Sequence, residues 1–389
     1  MLKIEVYGKE FKEAVEKALT VVPKKSSIHV LERMLIETTE SGIKIIVTDM
    51  DHWLEITLNA VVFEQGKILL DGNDIKLLLK MMECITITEL DGGKIDIKTS
   101  KKNLSMNTYD VKQYPDIPKT DEVEALQIKE NCLLEAVVNL SAFTNQSDNN
   151  KMFQIYNFNL KNKRIEVLDG HRIGIKSIEK ETILNDSQEI HLGIMACPVF
   201  KKLLDKKSGA KITLCNSEKY TIVKGTGFKY IQRRVEGDYF DINGMLTSNY
   251  DHRMVVDCKE LLEVTKYNCD LRKIGKSEKV PMFLYSTGND IATYFNNNKI
   301  ESVDRLTTKS AEVKKDFFIA VNPIFIKDAM NIIDSETALC TMTNEKAPIM
   351  IYGKEYSFLI LPVNPTQHSE IVNNMKEYLQ KIGMITEVA

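Results

Sequence analysis

Phe318-Ile319-Ala320 leads into Pro323-Ile324-Phe325, a strand-like run followed by a short amphipathic helix with proline in its first turn. The same passage stands twice earlier in the chain. His191-Leu192-Gly193-Ile194 leads into Pro198-Val199-Phe200, and Ile68-Leu69-Leu70 leads into Asp74-Ile75-Lys76. Ile75, Val199 and Ile324 are 124 and 125 residues apart. Each copy is preceded by a second helix-like stretch: Phe11-Lys12-Glu13-Ala14-Val15, Leu133-Leu134-Glu135-Ala136-Val137 and Leu261-Leu262-Glu263-Val264. Solenoid units are about 20 to 50 residues long, so a period this large is a whole small domain written three times.

A chain of 389 residues is too long for one ordinary domain and divides naturally into three of about 125 residues each. Its 43% hydrophobic content is enough for three cores. No run of about 18 apolar residues is present to span a membrane, and Met1-Leu2-Lys3-Ile4-Glu5-Val6 reads as a strand without a signal-peptide pattern. The expected location is cytoplasmic. Seven cysteines, odd in number and never spaced C-x-x-C, favour reduced thiols over a disulfide frame or a zinc site.

After each second helix the pattern changes to period two. Ile85-Thr86-Ile87-Thr88, the turn Asp91-Gly92-Gly93, Ile95-Asp96-Ile97 and Leu104-Ser105-Met106 read as an antiparallel hairpin and a further strand. Ile212–Leu214 with Tyr220–Val223, and Ala338–Thr341 with Ile349–Tyr352, repeat it. The fold class is α+β: three similar domains of two helices plus antiparallel sheets. The joints fall in the polar stretches near 120–126 and 247–252, which sets the domains at 1–125, 126–250 and 251–365, with a C-terminal helical extension at 366–389.

Catalytic patterns are weak. Gly275-Lys276-Ser277 resembles the end of a phosphate-binding loop, but Asp270 stands where that loop needs glycine. No G-x-S-x-G elbow or H-E-x-x-H helix occurs. Asp49, Asp51 and His52 could form a metal cluster by residue type, yet they sit in an alternating stretch, Ile45 to Leu58, where acids face solvent. Asp169-Gly170-His171-Arg172-Ile173 follows the strand Arg164 to Leu168 and presents a histidine and an arginine at a strand end. As an acid/base pair Asp169 and His171 lack a companion nucleophile or metal set.

That turn, in a chain of three α+β domains, resembles the Thr-Asp-Gly-His-Arg-Leu turn of the bacterial sliding clamp family, the beta subunit of DNA polymerase III. Thr48-Asp49, Leu104–Thr108 through Tyr114-Pro115-Asp116, Gly237–Ile242 and Ile360-Leu361-Pro362-Val363 match further family segments in order over about residues 1–365. Leu168, Phe240 and Gly244 depart from the Thr, Pro and Arg usual there.

The resemblance implies a DNA clamp fold and a head-to-tail dimeric ring of six domains around duplex DNA, with no catalytic site, cofactor or metal. Twelve helices would line the hole, bringing Lys12, Lys76, Lys80, Lys201 and Lys202 toward phosphates. Lys24, Lys25 and Lys151 match DNA-contacting positions. A formal charge of −3 suits a protein that holds DNA topologically, because many tight phosphate contacts would make binding strongly salt-dependent. The homodimer interface maps to Leu104 and Met106 of one chain and Lys273 and Ile274 of the other. A partner-peptide pocket maps to Gly170, His171, Arg172, Ile173, Phe240, Met245, Leu361, Pro362 and Val363. Implied partners are the polymerase III alpha subunit, clamp-loader subunits, and other polymerases and repair proteins with clamp-binding peptides. A diverged or mobile-element-encoded paralogue with restricted partners is the alternative. The tail is expected to form a helix with Ile371, Met375, Leu379 and Ile382 on one stripe, close enough to the pocket to compete for it.

Overall fold

The computed structural model describes residues 1–75, 83–187, 189–246, 250–274, 279–286, 291–297, 299–313, 317–364 and 369–383. The element order repeats three times as one strand, a helix, five strands, a second helix and three strands. The first repeat is β1 (Lys3–Tyr7), α1 (Gly8–Ala18), β2 (Arg33–Thr39), β3 (Gly42–Thr48), β4 (His52–Asn59), β5 (Val61–Glu64), β6 (Lys67–Asp71), α2 (Gly72–Ile75), β7 (Cys84–Leu90), β8 (Lys94–Lys98) and β9 (Asn103–Asn107). The second is β10 (Val123–Lys129), α3 (Glu130–Leu140), β11 (Ile155–Asn159), β12 (Arg164–Leu168), β13 (Arg172–Ser177), β14 (Thr182–Ile183), β15 (Ile190–Gly193), α4 (Ala196–Leu203), β16 (Lys211–Asn216), β17 (Tyr220–Gly225) and β18 (Phe228–Arg233). The third is β19 (His252–Asp257), α5 (Cys258–Leu271), β20 (Met282–Ser286), β21 (Ile291–Asn296), β22 (Glu301–Leu306), β23 (Thr308–Glu312), β24 (Phe318–Val321), α6 (Pro323–Met330), β25 (Thr337–Met342), β26 (Ile349–Tyr352) and β27 (Tyr356–Ile360), and α7 (Ser369–Lys381) follows it.

Local chemistry explains these elements. Phe11, Ala14, Val15 and Ala18 of α1 are buried at helical spacing, the single apolar stripe that a helix lying on a sheet requires. Asp257 caps α5 by accepting from the N–H groups of Lys259 and Glu260. Asn322 caps α6, where Pro323 occupies the first turn at no cost in hydrogen bonding. Gly92 and Gly93 carry positive φ in the β7–β8 turn.

The chain forms two compact bodies, Met1–Ser141 with Ile155–Lys163 and Ile178–Gly237, and Ala142–Gln154 with Arg164–Ser177 and Asp238–Ala389. The second repeat is therefore divided between them, and the reason is strand pairing across repeat boundaries. In the first body, β18 pairs antiparallel with β4, fusing repeats one and two into the sheet β14-β10-β16-β17-β18-β4-β3-β2-β6. A second sheet there runs β5-β1-β7-β8-β9. In the second body, β13 pairs with β27, joining repeats two and three, and a separate sheet runs β22-β21-β20-β24. In both joints the fourth strand of one repeat meets the ninth strand of the next.

Asp49, Asp51 and His52 depart from expectation. The alternating stretch from Ile45 to Leu58 is not one strand: β3 ends at Thr48 and β4 begins at His52. Met50 between them has φ 79°. Thr48 faces Trp53 across the turn, and the buried runs 45–48 and 53–56 are separated by exposed and half-buried residues at 49–52. Asp49 bonds the backbone N–H groups of Asp51 and His52 and the His52 ring.

Lys76, Lys80 and the Gly275-Lys276-Ser277 segment lie outside the described residues. Among the described residues, no helix is long and apolar enough to cross a membrane, and all seven cysteines are free thiols, with Cys84 exposed.

A candidate partner-binding surface at the joint of the second and third repeats

One turn is built three times. Hairpin registers align Thr48 opposite Trp53, Leu168 opposite Ile173 and Asn296 opposite Glu301. In each, the N–H of the next residue bonds a carbonyl three residues on: Asp49 to His52, Asp169 to Arg172, Asn297 to Ile300. In each, the side-chain oxygen of that Asp or Asn accepts from the two N–H groups that follow the turn's tip. This Asx geometry favours Asp and Asn because their short side chains reproduce a backbone turn. Gly170 has φ 89°, and its neighbour Phe153 would meet an added Cβ only at 3.6 Å. Backbone conformation, not crowding, selects glycine there.

Arg172 is committed to the protein itself. Its side chain is 8% exposed. Nε donates to Asp169 at 2.8 Å, Nη1 donates to Asp328 on α6 at 2.8 Å, and Nη2 donates to the Ala142 carbonyl. The guanidinium also lies over the Phe143 and Phe325 rings, 4.6 and 4.4 Å from their centroids. A buried cation with every face occupied holds the turn against α6. Asp169, with its carboxylate occupied by two backbone N–H groups and Arg172, serves the turn. His171 is exposed, its ring stacked on Phe325 at 6.2 Å.

Below the turn, Leu168, Ile173, Ile175, Ile242, Met350 and Leu359 form one buried cluster, flanked by Phe153, Tyr239, Leu246 and Tyr352. Its rim carries exposed apolar side chains: Phe240 (38%), Met245 (52%) and Leu361 (39%). Phe240 stacks on Phe153 at 5.3 Å. Leu361 is placed by its own N–H, which donates to the His171 carbonyl at 2.9 Å and extends the β13–β27 ladder by one rung. Thus Gly170, His171, Phe240 and Leu361 are exposed about the turn in the second body, with Ile173 buried in the cluster beneath. Pro362, next to Leu361 in the chain, is half-buried. Val363 turns instead toward the cluster under α7.

The repeat explains why this joint, and not the first, offers an apolar surface. The residues equivalent to His171 and Leu361 are Asp51 and Arg233, joined by the same backbone bond at 2.8 Å. There Arg233 Nε lies 3.3 Å from Asp51 Oδ1, so an ion pair occupies the place of the exposed leucine. Tyr114-Pro115-Asp116-Ile117 and Tyr239-Phe240-Asp241-Ile242 are likewise counterparts in sequence, with an aromatic ring replacing proline in the second. The places of Phe143, Phe153, Phe325 and Asp328 at the turn carry no sequence signal, because strand and helix packing alone bring them there.

The other implicated residues are placed as follows. Lys24 and Lys25 are exposed in the bend after α1, Lys12 is half-buried on α1, and Lys151, Lys201 and Lys202 are exposed. Leu104 and Met106 are half-buried on one face of β9. Ile274 is 44% exposed, its carbonyl accepting from Asn297 Nδ2 at 2.8 Å. Lys273 bonds Asp270 at 2.6 Å.

Residues 2–118 match the family model of the DNA polymerase III beta subunit, N-terminal domain. The beta sliding clamp of Bacillus subtilis is 20% identical over 379 residues, covering 93% of this chain and 99% of that protein. A crystal structure of a putative DNA polymerase III beta subunit from Eubacterium rectale superposes with TM-score 0.85 at 24% identity, covering 94% of this chain and 100% of the other. The Helicobacter pylori beta clamp, crystallised with a DNA ligase peptide, superposes with TM-score 0.79 at 16% identity, over 93% and 100%. Over its full length the chain is a distant homologue of the beta sliding clamps, the DNA polymerase III beta subunit family.

Proposed function

We propose that this protein is a DNA sliding clamp, a non-catalytic processivity factor that encircles duplex DNA as a head-to-tail homodimer and tethers partners through the surface around Leu361. The observation that carries the proposal is the repeated joint. Fourth strand meets ninth strand at β4–β18 and at β13–β27, while the remaining fourth and ninth strands, β22 and β9, both end their sheets. A strand edge presents unpaired N–H and C=O groups. Pairing β22 of each copy with β9 of the other would complete the series and close the ring, as head-to-tail contacts do when the rotation closes. Half-buried Leu104 and Met106 on β9 and exposed Ile274 beside the β21–β22 turn supply apolar side chains at those edges.

Lys24, Lys25 and Lys151 would approach the phosphates. Few such contacts and a net charge of −3 suit sequence-independent sliding. At the other surface, an extended peptide would seat Leu and Phe anchors against Phe240, Met245 and Leu361, with His171 as a polar neighbour, since a few apolar anchors dominate such affinities. The H. pylori clamp's ligase peptide supports a peptide ligand of this kind. Partners of this class are the polymerase III alpha subunit, clamp-loader subunits, other polymerases and repair proteins. The added helix α7 and the departures at Leu168, Phe240 and Gly244 favour a paralogue with restricted partners as the second reading.

Native mass measurement tests the assembly. The wild-type chain is expected as a dimer and Ile274→Asp as a monomer with unchanged circular dichroism. A dimeric Ile274→Asp protein refutes the interface.

A further inference from the structure

The tail helix packs on the sheet β22-β21-β20-β24. Met375 and Leu379 are fully buried against Phe283, Tyr285, Tyr294 and Ala320, with Ile371, Val372 and Tyr378 alongside. Ile382, expected on the same stripe, lies just past the helix and is 40% exposed. The half-buried Val363 belongs to this cluster as well, and its N–H donates to the Ala320 carbonyl at 2.8 Å. Two residues earlier, the Leu361 N–H donates to His171. The segment Leu361-Pro362-Val363 is thus a strap fixed at one end by β13 and at the other by β24 and α7, with the exposed Leu361 side chain between the anchorages.

We infer that α7 is a positioning element for the partner surface: by holding the Val363 side chain on the β20–β24 sheet, it fixes the strap that presents Leu361 and Pro362 to a bound peptide. The inference rests on the peptide-site reading above. Without α7, the cluster that Val363 packs against loses Met375 and Leu379, and the side chain keeps only the sheet face beneath it. Ordering the strap then becomes a cost of peptide binding, since a ligand that needs an ordered site binds in proportion to the fraction already ordered. Linkage makes the effect reciprocal, so bound peptide holds α7 on its sheet. Competition between α7 and the peptide predicts the opposite sign.

The test measures binding of a fluorescein-labelled extended peptide with Leu and Phe anchors to the full-length chain by anisotropy. Backbone hydrogen exchange over residues 369–381 is followed in the same samples. Met375→Ser is expected to speed exchange in α7 and weaken binding about tenfold, with Val363→Ala weakening it in the same direction and leaving the fold intact. Peptide is expected to slow α7 exchange in the wild type. Unchanged or tighter binding in a variant whose α7 exchanges freely overturns the inference. Leu361→Ala separates the two ideas: lost affinity there with none lost in Val363→Ala refutes the positioning alone, and unchanged affinity in Leu361→Ala refutes the site and the positioning together.

Discussion

Leu361 and Arg233 occupy the same place in two copies of one joint, and their difference leaves an exposed apolar side chain at one and an ion pair at the other. Leu361→Arg should give the second joint the polar character of the first. Peptide affinity is expected to fall by at least the roughly 1 to 3 kcal/mol of a lost apolar anchor. The change should leave melting temperature nearly unaffected, because the residue is 39% exposed; calorimetric titration with the labelled peptide checks it. Glu122 carries a second prediction. Burial pushes its carboxyl up, but hydrogen bonds from Lys224, Lys229 and Thr120 together outweigh burial and bring it down to about 2. A carboxyl held below its ordinary value near 4.5 stabilises the fold above pH 4.5, and that stabilisation disappears as pH falls from 4.5 toward 2. Glu122→Gln should therefore be less stable than wild type at pH 7, and the gap in denaturant midpoint should close across that acid window. A gap that stays constant with pH contradicts the assignment.

At the scale of elements, the repeat turns a topology into a register. His52 lies opposite Gln232 in the first joint, and Arg172 opposite Ile360 in the second. The β8–β9 turn has the bond Thr99 N–H to Lys102 O, and the β26–β27 turn has Gly353 N–H to Tyr356 O. Aligning these turns places Met106 opposite Ile300, and Lys102 opposite Asp304, across the proposed β9–β22 pair. The equivalent pair in the second joint, Lys176 and Tyr356, is in contact, with Nζ 4.3 Å from the ring centroid. Asp304→Lys should then weaken the dimer, and Lys102→Asp in the same chain should restore it, read by sedimentation equilibrium at low salt, where facing charges are least screened. Failure of the second change to rescue the first would mean a different register.

Much of this architecture was legible in the sequence, since helix stripes at Phe11, Leu133 and Leu261 and the alternating hairpins follow local rules. The turn at Met50 was not, because no glycine or proline marks it in the sequence. Nor was the cradle of Arg172, because Phe143 and the α6 pair Phe325 and Asp328 come from two segments far apart in sequence that only packing unites. The side-chain direction of Val363 was illegible for a similar reason: the cluster it joins is built from β20, β21, β24 and α7 together.

At the scale of the whole molecule, a chain with three repeats and two matching joints leaves one fourth strand and one ninth strand as sheet edges. Two copies pairing those edges would enclose DNA without gripping it, and a charge of −3 gives no reason to expect tight non-specific affinity. Topological retention separates this account from ordinary binding. The deciding measurement loads the protein, with a clamp loader, onto nicked circular DNA and then filters at raised salt before and after a single cut linearises the circle. The expected result is retention on the closed circle at salt that abolishes electrostatic binding, and release once the DNA has ends. Equal retention on both forms, or loss from both, would contradict it.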